Sequence, residues 1–219
     1  MPYFSLFWQY NIELEPSEEV IFRKFLDLFM EYNGHTNLSA IRTPEGIVEK
    51  HFIDSLMLGN VVELHGKVLD IGSGGGFPWI PLKILFPTVD FTLIDSVGKK
   101  VRAMNHFIEW LWLQGIRAVQ ARAEEISRLP EYKMQFDYIV SRATAYLPQI
   151  LEWAEPFLAH DGQIILYKLA SPDELEEGKR ILKKLWLILV WVEDYKIGEQ
   201  ERVFLVFERG KNGSSVFWR

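Results

Sequence analysis

The chain of 219 residues is long enough for one domain with a small appendage, and with no cysteine it excludes disulfide frameworks, zinc–thiolate sites and thiol catalysis. Its formal charge of −6 opposes nucleic acid unless positive groups gather on one face. The longest apolar run, LWLILVWV at 185–192, is too short to cross a bilayer as a helix.

The opening segment MPYFSLFWQYNIEL lacks the basic start, long apolar centre and small-residue cleavage site of a secretory signal, so a cytoplasmic protein is expected. Residues 17–32, SEEVIFRKFLDLFMEY, predict an amphipathic helix with Val20, Ile21, Phe25, Leu28, Phe29 and Tyr32 on its apolar face. Ser17 serves as its N-cap, Glu18 and Glu19 suit its positive end, and Asn33-Gly34 stop it. Pro44 at a first helical position predicts a second helix from Thr43 through IVEKHFIDSLMLG. The first 60 residues read as helical, with no strand signal.

From residue 67 strands and helices alternate. KVLDIG, DFTLID, RAVQAR, FDYIVSRA and GQIILYK read as strands. PWIPLKILF, SVGKKVRAMNHFIEWLWLQ, LPQILEWAEPFL and PDELEEGKRILKKL read as the helices between and after them, the second stopped by Gly115. This alternation predicts an α/β fold with a doubly wound, Rossmann-like, mostly parallel sheet. WLILVWVEDYKI and RVFLVFER, joined by a short turn at Gly198-Glu199-Gln200, close it with an antiparallel hairpin, as in the class I methyltransferase sheet, whose final strand is reversed. The expected organisation is an N-terminal helical segment at 1–62, the α/β domain at 63–210 and a loose tail at 211–219.

KVLDIGSGGGFPWIPLKILFP, residues 67–87, places its glycines between a strand and a helix, where open parallel sheets bind ligands. A Walker A loop requires Gly-Lys-Ser/Thr after its glycines; this loop has Gly-Phe-Pro. A dinucleotide turn counted from Gly72 requires glycine where Phe77 stands, and Pro78 removes an amide. The pattern that fits is D-x-G-x-G-x-G, with Asp70, Gly72, Gly74 and Gly76. A carboxylate before the glycines suits a positively charged ligand such as S-adenosylmethionine; a tight turn without ligand is the alternative. Asp95, ending DFTLID, would accept two ribose hydroxyls or cap the helix beginning near Ser96, and both roles can coexist. Arg122-Ala123-Glu124-Glu125 follows the third strand, where an acidic side chain and a small neighbour would line an adenine pocket or cap a helix.

In order between about residues 30 and 168, NGHTNLSAIRTPEGIVEKHFIDSL, VLDIGSGGGFPWIPL, IDSVGKKVRAM, RAEE and FDYIVSRA resemble the glucose-inhibited division protein B family, also called ribosomal RNA small-subunit methyltransferase G. The Gly-rich element is common to class I methyltransferases; the N-L-x-A-I-R, H-F-x-D-S and S-R-A elements are not. The resemblance implies methylation of one guanine at N7 in 16S rRNA, with S-adenosylmethionine as donor and S-adenosylhomocysteine as product. It carries the cofactor site onto Gly72, Phe77, Asp95, Ala123, Glu124 and Arg142, to which Asp70, Gly74, Gly76 and Ser96 are added as neighbours on the same two loops. Asn33, Asn37, His51, Asp54 and Ser55 would pack beside that site. One departure concerns substrate-side geometry: Lys168 is followed by Leu169, where family members usually have glycine.

Guanine N7 carries a lone pair and no proton, so its methylation needs no general base. None is assigned, and orientation falls to Arg142 and Lys168. Ser141-Arg142-Ala143-Thr144 stands where exocyclic-amine methyltransferases carry Asn/Asp-Pro-Pro-aromatic, which disfavours an adenine-amine or cytosine-amine substrate. Arg142 would clamp the cofactor carboxylate or a substrate phosphate, or make a strand-end salt bridge. His51, among Phe and Leu, reads as a packing histidine. Lys99, Lys100 and Arg102 would bind the RNA, with Arg122, Arg128 and Arg142 from nearby loops and Lys179, Arg180, Lys183 and Lys184 further on. The expected partner is 16S rRNA within the small ribosomal subunit, the protein being a monomer with no metal and no membrane contact. Competing readings are a class I methyltransferase with a small-molecule or protein acceptor, a cofactor-binding assembly factor without turnover, and, more distantly, an NAD(P) oxidoreductase.

Overall fold

The computed structural model describes residues 2–210. The tail expected at 211–219 lies outside the described residues. Seven strands form one sheet in the order β3-β2-β1-β4-β5-β7-β6. They are β1 (Lys67–Ile71), β2 (Asp90–Asp95), β3 (Ile116–Gln120), β4 (Phe136–Arg142), β5 (Leu158–Leu169), β6 (Leu187–Ile197) and β7 (Gln200–Arg209). The pairs β2–β3, β1–β4 and β4–β5 are parallel. β7 lies antiparallel to both β5 and β6, and Ile197 faces Gln200 across a two-residue turn at Gly198-Glu199. The expected doubly wound sheet with a terminal hairpin is therefore present. The chain divides into two compact units, Met1–Gly66 with Gly72–Ala121, and Lys67–Ile71 with Arg122–Arg219.

The first unit opens with helical turns at Pro2–Ser5 and α1 (Leu6–Gln9), which no periodicity in so short a stretch announces. Its main helix, α2 (Pro16–Thr36), starts one residue before the expected Ser17: the cap is Glu15, in a reciprocal capping box with Glu18. α2 also runs past Asn33-Gly34 to Thr36, and Asn37 takes the left-handed turn instead, at φ 54°. The reason is that Asn33 is buried and its side chain is in use: it donates to the Ile41 carbonyl (3.0 Å) and accepts from the Ser39 amide (2.8 Å). The second helix starts where expected, with the Thr43 hydroxyl capping the Gly46 amide. It is not continuous, however. α3 (Pro44–Ile47) passes into a π-helical turn at Val48–Ile53, then α4 (Asp54–Leu56) and a 3₁₀ turn at Met57–Asn60.

Phenylalanines hold this unit together. Phe25 on α2 stacks on Phe52 at 5.1 Å and touches Phe29, Phe77 and Phe107, all buried. Burying rings of this size supplies the largest single increments of apolar stabilisation available to the unit. α5 (Trp79–Leu85) and α6 (Gly98–Trp110) complete it. α6 stops before the expected Gly115, because Trp112 adopts the left-handed backbone at φ 57°. Gly115 is needed for a separate reason: it too has positive φ, 65°, and a Cβ there would also crowd Asp90 Oδ1 at 2.9 Å and Lys83 Nζ at 3.0 Å.

In the second unit, α7 (Ala123–Ile126), α8 (Leu147–Ala154) and α9 (Pro172–Leu182) accompany β1, β4, β5, β7 and β6. Gly178 on α9 lets Leu147 on α8 pack against its backbone, since a Cβ at Gly178 would meet the leucine side chain at 2.4 Å.

Lys83 is the buried cation of the first unit, donating to the Pro87 and Val89 carbonyls at 2.8 and 2.7 Å. Burial pushes its pKa below the usual 10.5, with Asp90 acting in the other direction. The folded chain thus binds this proton less tightly than the unfolded one, and its contribution to stability rises with pH as the ordinary value of 10.5 is approached from below. Urea titrations between pH 8 and 10.5 should show wild type gaining stability relative to Lys83→Met; parallel slopes would contradict the burial effect.

Candidate functional site

The turn after β1 closes on itself within the first unit. The Gly72 and Ser73 amides donate to the Ile94 carbonyl on β2 (2.8 and 3.2 Å), and the Gly76 and Phe77 amides donate to the Ser73 carbonyl (2.9 and 3.2 Å). The Gly74 amide donates to Asp95 Oδ2 at 3.0 Å. The other oxygen of Asp95 accepts from the Val97 amide at 2.8 Å, and Lys100 Nζ lies 3.8 Å from Oδ2. These five amides of the turn point at protein acceptors. A pyrophosphate loop turns its amides outward to the anion, so this turn is not built for one.

Glycine is required here for distinct reasons. Gly76 sits at φ 92°, and an added Cβ would be 2.4 Å from Ile80 Cδ1. Gly74 also has positive φ, 58°, but a Cβ there would meet nothing closer than the Gly72 carbonyl at 3.9 Å. At Gly75 the crowding is from the helical side: an added Cβ would come 3.0 Å from Phe29 Cε2 and 3.5 Å from Leu38 Cβ.

His51 stacks on Phe77 at 4.6 Å and 17° and shares a 2.7 Å hydrogen bond between its Nε2 and Ser39 Oγ. It is a packing histidine, as expected. Ser39, Asn33 and Arg42 form a network that the sequence does not announce: Arg42 donates to the Asn33 carbonyl and Asn37 Oδ1, holding the 33–42 loop. The spacing N-x3-N-x-S-x2-R contains these residues without revealing their bonds. The first unit therefore brings together Gly72, Gly74, Gly76, Phe77, Asp95, Ser96 and Lys100. Lys99 and Arg102 are exposed on α6, whereas Lys100 leans back to Asp95.

In the second unit Asp70 is buried at the end of β1, in register with Val140. The Ser141 and Thr144 hydroxyls both donate to the Ile71 carbonyl (2.8 and 3.1 Å), tying β4 and its following loop to β1. No role for Thr144 is legible in the sequence. Arg142 ends β4, half-buried and opposite Tyr167. Ala123 is buried and Glu124 exposed at the start of α7. Lys168, expected to orient ligand, has its ammonium bonding Glu174 Oε1 and the Ala145 carbonyl, each at 2.6 Å. The same Glu174 oxygen accepts the Leu147 amide at the start of α8 (2.8 Å). Lys179 and Lys184 are paired with Glu176 and Glu152. Among the described residues no group of acidic, histidine or cysteine side chains could hold a metal ion, and no helix is long and apolar enough to cross a membrane.

A family described as rRNA small subunit methyltransferase G matches residues 18–202. The ribosomal RNA small subunit methyltransferase G of Desulfitobacterium hafniense (strain Y51) is 38% identical over 203 residues, covering 91% of this chain and 84% of that protein. Its counterpart in Mesoplasma florum is 39% identical over 214 residues, covering 95% and 90%. Among solved structures, M. jannaschii TYW2 in complex with AdoMet superposes with a TM-score of 0.60 at 19% identity, covering 78% of this chain and 79% of that one. At that identity the likeness establishes the fold.

The two glycines separate local strain from steric exclusion. Gly74→Ala should cost about 1–2 kcal/mol of backbone strain, and Gly76→Ala distinctly more, because it adds the collision with Ile80. Chemical denaturation of both variants decides this; the reverse order would contradict the geometry.

Proposed function

The chain belongs to the ribosomal RNA small subunit methyltransferase G family, and from that premise we propose that it transfers the methyl group of S-adenosylmethionine to N7 of a guanine in 16S rRNA. The proposal extends to rRNA carried in the small subunit, with the protein acting as a cytoplasmic monomer. The observation that carries the reading is the Asp95 carboxylate, held at the end of β2 by the Gly74 and Val97 amides.

The residues of the glycine turn fit the cofactor. Each Asp95 oxygen accepts one backbone amide and keeps lone-pair capacity for a ribose hydroxyl. The open space above Gly74 admits a ligand backbone where a side chain would stand in the way. The bound cofactor supplies an electrophilic methyl group on a sulfonium. Asp95 would fix its ribose, and the turn from Gly72 to Phe77 its amino-acid portion; Ala123, Glu124 and Arg142 are proposed as cofactor contacts on the family pattern, and Asp70 and Ser96 as neighbours of the turn and of Asp95. His51 and the ring of Phe29 brace Phe77, so the turn presents one conformation rather than several.

No residue is needed to remove a proton, because guanine N7 has none. Rate enhancement would come from holding the base lone pair in line with the methyl carbon at about 3 Å. Arg142 serves orientation. Lys99 and Arg102 remain as exposed cations for RNA, while Lys100 divides its charge with Asp95.

Asp95→Asn turns an NH2 donor toward one of the two backbone amides that Asp95 accepts, so it should lower stability as well as weaken S-adenosylhomocysteine binding by about tenfold or more, equivalent to at least 1.4 kcal/mol; calorimetric titration alongside a thermal melt gives the answer, and unchanged affinity would remove Asp95 from the pocket. Mapping N7-methylguanosine in 16S rRNA from cells with active protein and with the Asp95→Asn variant tests the substrate. A modified guanine present equally in both would refute the assignment, and transfer only to a small molecule or protein would replace it.

Replacing Lys99 and Arg102 together by alanine should weaken RNA binding and reduce its logarithmic salt slope by about 1–2. Lys100 is left intact so that Asp95 keeps its neighbour. An unaltered slope would take α6 out of the RNA surface.

A further inference from the structure

On the second unit, beyond the carboxyl end of β5, lies a cavity of about 200 Å³. Its floor is the sheet: Leu205 lies in register with Leu166 and Val192, and Val203 with Lys168 and Asp194. Leu175 of α9 forms a wall, and Leu169 stands at its mouth, 52% exposed. Drug-sized ligands occupy pockets from roughly 300 Å³ upward, so this slot suits one or two side chains of a larger partner.

Charge around the slot is net acidic even after the Lys168–Glu174 ion pair is counted as neutral. Glu174 and Asp194 line it, and Asp173 and Glu177 stand close by on α9. The one ammonium in the lining, Lys168, is already spent on Glu174. Asp173 and Glu174 also suit the positive end of α9, but that accounts for neither Glu177 nor Asp194. The Tyr146 phenol registers the same field: desolvation first, then Glu177, Glu174 and Asp173, hold its pKa above the ordinary 10.0. Asp194 is exposed, with no ion-pair partner among the described residues. Phosphates would be repelled from such a rim, whereas Lys and Arg combine an aliphatic stem for the slot with a cation for its edge.

We propose that this slot is a docking site for a basic polypeptide segment of a partner protein, seating an aliphatic side chain between Leu175, Val192 and Leu205 and pairing its cations with Asp194 and the acidic start of α9. The methyl-transfer reading does not enter into this, so either can fail alone. The occupant is defined by its chemistry: alternating aliphatic and cationic residues in an extended stretch.

The test uses the full chain and a fluorescein-labelled synthetic peptide, Lys-Leu-Arg-Lys-Leu-Arg, followed by anisotropy at low and at physiological salt. Saturable binding, weakened by salt, should drop tenfold or more in Asp194→Lys and in Val192→Lys, while both variants keep the wild-type far-UV spectrum and S-adenosylhomocysteine affinity. Should Val192→Lys fail to fold, the surface variant Asp194→Lys decides by itself. Equal binding to wild type and Asp194→Lys overturns the proposal, as does equal binding of the acidic peptide Glu-Leu-Asp-Glu-Leu-Asp. No binding of the basic peptide at millimolar concentration overturns it too, and a labelled uridine oligomer that the peptide displaces reassigns the slot to nucleic acid.

Discussion

The Asp95 carboxylate accepts from two amides belonging to different segments, Gly74 in the turn after β1 and Val97 at the entry to α6. A buried carboxylate left without donors would be costly. The turn and the start of α6 therefore hold their shapes through the same side chain. Lys100, one turn into α6, adds charge compensation from the same helix. Because each carboxylate oxygen is anchored by a backbone amide, any ligand that binds Asp95 meets an acceptor already oriented, and the cost of ordering it has been met during folding.

The opposite side of the turn is fixed by packing. Phe77 is surrounded by Phe25, Phe29 and Phe52 and is covered by His51, while a side chain at Gly75 would run into Phe29 and Leu38. The N-terminal helices thus act as the rear wall of the glycine turn. The π-helical turn at Val48–Ile53 lies where His51 and Phe52 leave the helix toward Phe77 and Phe25. A wider helical turn changes the direction of successive side chains, and here it lets neighbouring residues reach the same aromatic cluster.

The alternating strands and helices of an α/β fold, the glycine turn and the carboxylate ending β2 were legible because each leaves a local mark: alternation of apolar runs, spaced glycines, an acid at a strand end. Helix ends were less so. Asn33-Gly34 looks like a stop signal, yet Asn33 is spent on the 39–41 loop, and a residue buried by long-range contacts stays helical. Trp112, just past the end of α6, takes a conformation that sequence assigns to glycine, so the stop fell three residues short of Gly115. Lys168 entered through the family resemblance; its ion-pair partner Glu174 arrives only after the chain turns into α9, and sequence gives no measure of that turn. The two roles offered for Asp95 could coexist in sequence; the Val97 amide donates to its carboxylate just before α6, a local turn bond that leaves the carboxylate with further acceptor capacity, while the N-cap position itself is Val97.

An acidic chain can still work on RNA if its charge is unevenly distributed along the sequence. Residues 1–66 carry ten Asp or Glu against four Lys or Arg, while residues 72–121, which hold the glycine turn and α6, carry three against five. The overall −6 is thus a property of the N-terminal helices rather than of the segment that bears the candidate site. Fields from exposed charges fade over about 10 Å at ordinary ionic strength, so a phosphate near α6 responds chiefly to Lys99 and Arg102 and only weakly to distant acids. Two or three cations give weak, salt-sensitive attraction. Affinity for one site in a large rRNA must then come from shape and from additional contacts, which fits an enzyme whose chemistry needs accurate placement of one base and no proton transfer.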